Sequence, residues 1–154
     1  MNIEETELLN RQKYIFGSFF ILANNLQIEG DKLLSKDGIT LRQWLLTVVI
    51  LQFDDRHPTL GDVARLMGTS HQNTRQLANK LQERGFLSIE KDPEDGRAIR
   101  LKLTEKSYDF WATKEEMGDR FVENLFEDMT TEEVVVMAKG IEKLLSKLNV
   151  EATK

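Results

Sequence analysis

The sequence predicts a mainly α fold with one small β-hairpin, and three observations lead to it. Apolar residues recur at helical spacing over most of the 154 residues, and only two prolines, Pro58 and Pro93, interrupt them. Between Thr59 and Arg84, two short helical patterns flank Met67-Gly68-Thr69-Ser70, a turn of few residues containing glycine. Two strand-like alternations follow, Leu87/Ile89 and Ile99/Leu101/Leu103, joined by the charged tip Asp92-Pro93-Glu94-Asp95-Gly96-Arg97. That order is a winged helix-turn-helix with long N- and C-terminal helices.

The first helix is expected from Ile3 to about Leu26. Leu8, Ile15, Phe19, Leu22 and Leu26 mark one face, and Phe16 and Phe20 lie on the other side. A terminal helix apolar over so much of its circumference needs two neighbours, and a partner subunit is a reasonable second one. Gly30 to Gly38 reads as a polar linker. Thr40-Leu41-Arg42-Gln43 has the spacing of a capping box and opens a helix to about Phe53. Thr59 caps the next helix, with Asp62 in its first turn, where the helix dipole favours an acid. Gly68 suits the left-handed residue that stops it. Thr69 or Ser70 caps the following helix, which stops at Gly85. After the hairpin, Leu103-Thr104 opens a helix of about six turns, to roughly Asp128. Thr130-Thr131-Glu132-Glu133 caps a last helix ending near Leu148, with Val134, Met137, Ala138, Ile141, Leu144, Leu145 and Leu148 as its apolar stripe.

Composition narrows the function. With no cysteine, disulfides, thiolate metal sites and thiol redox sensing are excluded, and a reducing cytoplasm is the expected compartment. The acidic start, Met1 to Glu5, is unlike a signal peptide. The apolar run from Tyr14 to Ala23 is too short for a bilayer, which needs roughly 20 residues, so no membrane association is expected. The net charge of −5 is unevenly divided: residues 1–58 carry 6 Lys/Arg against 8 Asp/Glu, residues 59–104 carry 8 against 6, and residues 105–154 carry 7 against 12. Positive charge therefore gathers in the helix-turn-helix and hairpin, as it does where a basic face is built on an acidic scaffold.

The helix from Ser70 to Arg84 turns Thr74, Leu77, Ala78 and Leu81 inward and presents His71, Gln72, Asn73, Arg75, Gln76, Asn79 and Lys80 on the other side. Most solvated helix faces are Glu/Lys-rich; this one is rich in amides. Asn and Gln can pair with the adenine edge in the major groove, and Arg with guanine. Ser70 and Thr74 offer hydroxyls to phosphates, and a helix N-terminus attracts one. At the wing, Asp95 is read as orienting Arg97 toward a minor groove, which attracts arginine electrostatically; the plainer reading is a surface ion pair of little value. The expected DNA-binding residues are thus Ser70, His71, Gln72, Asn73, Thr74, Arg75, Gln76, Asn79, Lys80, Asp95 and Arg97. His57 and His71, the only histidines, lie in no ligand-spaced cluster. No nucleophile–base pair and no phosphate-cradling glycine loop is present, so neither an enzyme nor a cofactor is expected. Phe16, Phe20, Trp44 and Trp111 are candidates for an effector pocket, although such aromatics are more often core or interface.

These residues resemble the MarR family of bacterial transcriptional regulators over nearly the whole chain. Residues 92–106, with D-P-E-D-G-R followed by L-K-L-T-E-K, are similar to the family's wing and fifth-helix entry. Ile39 to Trp44 is similar to its second-helix start, and Thr59 to Phe86 to its helix-turn-helix. Ser107 departs from the glycine that many members have, and the amide-rich helix implies an operator of its own. The resemblance implies one MarR-like domain, with 39–104 as the DNA-binding region and 1–38 and 105–154 as interdigitating dimerisation helices. It implies a homodimer on double-stranded DNA at a pseudo-palindromic operator, acting as a repressor released by a small aromatic or other small-molecule effector. Two alternatives remain open: a winged-helix module contacting protein, and a metal-responsive regulator.

Overall fold

The computed structural model describes residues 2–54 and 56–150. In chain order the elements are α1 (Ile3–Leu34), a 3₁₀ turn (Ser35–Asp37), α2 (Leu41–Leu51), α3 (Leu60–Met67), α4 (His71–Glu83), β1 (Leu87–Lys91), β2 (Ile99–Leu103), α5 (Glu105–Ala112), α6 (Glu115–Phe126) and α7 (Thr131–Lys147). The chain is therefore mostly helical with one two-stranded antiparallel hairpin. It forms two compact units that divide between Trp44 and Leu45, within α2.

The first unit is built on α1, whose 32 residues make a rod of about 48 Å. The expected linker from Gly30 is instead the last turn of this helix and a short 3₁₀ turn. Glycine weakens a helix by about 1 kcal/mol relative to alanine, which is why its pattern read as a break. Here it admits a neighbour: a Cβ at Gly30 would lie 2.6 Å from Leu41 Cδ1. Asp31 accepts the Leu41 backbone N–H at 2.7 Å, which ties the end of α1 to the start of α2. The chain then reverses at Gly38, whose φ of 65° needs glycine. The capping box at the start of α2 is present, with Gln43 N–H donating to Thr40 Oγ1 (3.2 Å) and Thr40 N–H to Gln43 Oε1 (3.0 Å).

In the second unit, the helix-turn-helix and hairpin share one core. Val63, Ala64, Ala78, Leu81, Phe86, Leu87, Leu101 and Leu103 are all buried, each large side chain contributing about 1.5–3 kcal/mol. Thr59 and Asp62 form a reciprocal cap on α3. Gly68 (φ 69°) and Gly85 (φ 77°) supply the left-handed residues that end α3 and α4. The hairpin register pairs Leu87 with Leu103 and Ile89 with Leu101, which puts the strands' apolar residues on one face.

The helix expected over six turns is interrupted. At Thr113-Lys114 the ladder slips to an i−3 bond, Lys114 N–H to Trp111 O at 3.0 Å. The Thr113 hydroxyl donates to Phe110 O at 2.6 Å, a local bond of the kind that competes with helix geometry. Periodicity could not show this, because the apolar spacing continues through it.

Ser107 is 1% exposed, and its hydroxyl has no hydrogen-bond partner. A buried unsatisfied hydroxyl costs about 1 kcal/mol or more. Ser107→Ala is therefore expected to raise the thermal midpoint by roughly 2–4 °C, checked by circular dichroism melting. A lower midpoint would show that the hydroxyl carries a favourable contact.

Candidate nucleic-acid interface

Helix α4 begins at Ser70, whose Oγ accepts the Asn73 backbone N–H at 3.1 Å. The cap fixes the first turn and leaves the Ser70 hydroxyl proton available to an outside acceptor. The buried side of α4 is formed by Thr74, Ala78 and Leu81. This face turns the opposite side outward, and His71, Gln72, Asn73, Gln76 and Lys80 are exposed there.

Four expected contacts have local duties. Thr74 is completely buried and its hydroxyl donates to Ser70 O at 2.9 Å. It is a core residue with a satisfied hydroxyl, not an exposed phosphate contact. Arg75 and Asn79 are half-buried and bonded to each other, Nε to Oδ1 at 3.1 Å. Asn73 is tied back to Thr69, Nδ2 to Oγ1 at 3.3 Å. A Cβ at Gly61 would lie 3.3 Å from His71 Cε1, so the His71 ring lies against the first turn of α3.

The wing tip is built from side-chain-to-backbone bonds. Asp92 Oδ1 accepts the backbone N–H groups of Glu94 (2.8 Å) and Asp95 (3.1 Å). Asp95 Oδ1 accepts the Arg97 backbone N–H at 3.0 Å. Asp95 therefore sets the Arg97 backbone, where the sequence reading had it orienting the guanidinium. Arg97 itself is exposed at the tip.

The sequence reading missed Asp92 and Arg100. Arg100 Nε donates to Asp92 Oδ2 at 2.6 Å and its Nη1 to the His57 carbonyl at 2.9 Å. Beside them Leu101 N–H donates to Pro58 O at 2.9 Å, and Thr59 bridges to Arg100 in strand fashion. The segment before α3 is thus tied to β2 by a single isolated bridge. The available signal was an acid at the end of one strand and an arginine on its return.

The backbone N–H groups of Glu94 and Asp95, and then Arg100, hold the Asp92 carboxyl below the usual carboxylate range. A depressed carboxyl stabilises the fold fully above its unfolded value near 3.8, and that contribution is lost as pH falls through the lower folded value. Asp92→Asn is therefore expected to flatten the acid limb of stability against pH below about 4. Thermal melts of both proteins between neutral pH and that range check this; parallel curves would exclude it.

Of the pocket candidates, Phe16 and Phe20 stand edge to face on α1, centroids 5.3 Å apart and both exposed, and Trp44 is 39% exposed. Trp111, on α5 of the other unit, has a buried Nε1 without a partner. A separate open groove in the second unit is lined by Arg84, Phe86, Glu105, Lys106, Asp109 and Phe110, among others. There Lys106 Nζ caps α4 by donating to Arg84 O at 2.7 Å and lies over the Phe86 ring. Among the described residues no three His, Asp or Glu gather as metal ligands, and no helix is long and apolar enough to cross a membrane.

Comparison with known proteins agrees with this geometry. Residues 37–98 match the MarR family. The transcriptional repressor MprA of Escherichia coli is 23% identical over 119 residues, covering 77% of this chain and 68% of MprA. The organohalide-sensing regulator RdhR-CbdbA1625, solved with 2,4-dichlorophenol, superposes with a TM-score of 0.74 at 18% identity, over 96% of this chain and 85% of that one. The S. aureus MepR–DNA complex superposes with a TM-score of 0.70 at 20% identity, over 84% and 94%. The matched segment holds α2, the capped helix-turn-helix, β1 and the wing tip, so this chain carries a winged-helix segment similar to the MarR family on the fold of MarR-family regulators.

Proposed function

We infer that the protein works as a homodimer that represses from a pseudo-palindromic operator and is released by a small-molecule effector. The observation that carries this reading is the outward face of α4, amides and cations on a helix held by a buried opposite side. In helix-turn-helix proteins the N-terminal half of this second helix enters the major groove. Gln72, Asn73 and Gln76 are then the adenine readers, and Arg75 a guanine or phosphate contact. Ser70, His71, Asn79 and Lys80 flank them, and Arg97 reaches the neighbouring minor groove from the wing.

Dimerisation is supported by large apolar side chains left open on the terminal helices: Phe16, Phe20 and Ile21 on α1, and Val136 and Leu144 on α7 with Leu148 at its C-cap, each 47–70% exposed. The division of labour follows, with residues 39–104 on DNA and residues 1–38 and 105–154 at the dimer interface. Effector release is supported by the phenol bound to the RdhR relative. The repressor sense follows MprA.

The test is to recover genomic fragments bound by the purified protein and sequence them. The expected result is an inverted repeat with half-sites about one helical turn apart. Recovery without any shared sequence would leave only non-specific binding and exclude an operator.

A further inference from the structure

The bonds at the wing form one continuous path. It runs from the His57 carbonyl to the Arg100 guanidinium, on to the Asp92 carboxylate, then to the Glu94 and Asp95 backbone, and through Asp95 to the Arg97 N–H. We propose that Arg100 is the positioning residue of the wing: held between Asp92 and the His57 carbonyl, it fixes the hairpin tip against the segment entering α3, so that Arg97 meets DNA in one geometry. This inference rests on the DNA-binding reading of the wing.

A two-stranded hairpin is marginal by itself, and the bonds that order its tip from Asp92 to Ala98 converge on the Asp92 carboxylate that Arg100 holds. Ordering a loose tip on DNA would cost backbone entropy for each residue fixed; a tip ordered beforehand avoids that cost. Arginine suits the task because two donors leave one rigid plane in different directions, one to a carboxylate and one to a carbonyl. A lysine ammonium is a compact charge on a flexible stem and does not present that planar fork. Arg100 is not itself placed as the wing's DNA contact, since both its Nε and one Nη are occupied. Arg97 lies at the tip and is exposed.

The experiment is a double-mutant cycle on a duplex of mixed sequence, read by fluorescence anisotropy across a range of salt. Arg97→Ala is expected to weaken binding roughly tenfold, as for loss of a charged hydrogen bond, and to reduce the salt slope by about 0.9 per half-site. Arg100→Lys keeps the charge and should reproduce most of that loss. In the Arg97→Ala background it should cause no further loss. Asp92→Asn should behave as Arg100→Lys does, and it provides the same cycle if Arg100→Lys melts at the assay temperature. An Arg97 effect with wild-type affinity in Arg100→Lys and Asp92→Asn overturns the proposal alone. So does an equal loss in both Arg97 backgrounds, which would indicate a direct contact or general damage. No effect of Arg97→Ala would overturn the DNA-binding reading of the wing, and this inference with it.

Discussion

Leu144→Glu is expected to leave the protein monomeric and to remove DNA binding at concentrations where the parent saturates its operator. Leu144 lies on the stripe of α7 with Ile141, Leu145 and Leu148, which are 39–70% exposed. On α1, Phe16, Phe20 and Ile21 are 60–67% exposed. Each such side chain gains about 1.5–3 kcal/mol on complete burial, so two copies have a strong drive to cover these faces. In a two-fold interface one substitution enters twice, and a buried, unpaired carboxylate costs several kcal/mol each time. The dissociation constant should rise by on the order of a thousandfold or more. Sedimentation velocity checks this directly; a parent protein that is monomeric at micromolar concentration would refute it. For an obligate dimer the parent's unfolding midpoint should also rise with protein concentration.

The second large effect is expected for Gln72→Ala/Gln76→Ala. These two residues lie one turn apart on the outer face of α4, both exposed. Their amides are not taken up within the helix, unlike those of Asn73 and Asn79. A bidentate amide–adenine pair is worth about 1–3 kcal/mol against the wrong base, and a dimer makes each pair twice. The double variant should therefore lose at least about a hundredfold on the operator and only a few-fold on scrambled DNA at the same salt concentration. Equal losses on both DNAs would make these residues backbone contacts. No loss on either would remove α4 as the reader and favour a protein-binding winged helix.

Most of this architecture is legible because its signals are local. Thr40/Gln43 and Thr59/Asp62 have capping-box spacing, and both caps close as reciprocal hydrogen bonds. Gly68 and Gly85 mark their helix ends because left-handed backbone selects glycine. The misplaced boundaries have non-local or single-bond causes. Gly30 reads as a break unless the close approach of Leu41 is known. The interruption at Thr113 depends on one hydroxyl bonding backward. In the site, residue type identified the polar face of α4 but not which amides are already engaged. The hydroxyl of Thr74 suggests a phosphate contact, yet Thr74 lies on the inward face that the periodicity itself defines. Arg100 escaped notice because its partner carbonyl, at His57, is 43 residues away in sequence.

The central claim is that two copies of this chain read two half-sites together, each through α4. The most direct measurement uses the recovered operator and a version with about five base pairs inserted between the half-sites, which is half a helical turn. The insertion rotates one half-site to the opposite side of the duplex without changing any base that α4 would touch. The account predicts two chains per operator and, on the inserted duplex, a fall toward the affinity for scrambled DNA. Unchanged affinity on the inserted duplex, or one chain bound per operator, would contradict it.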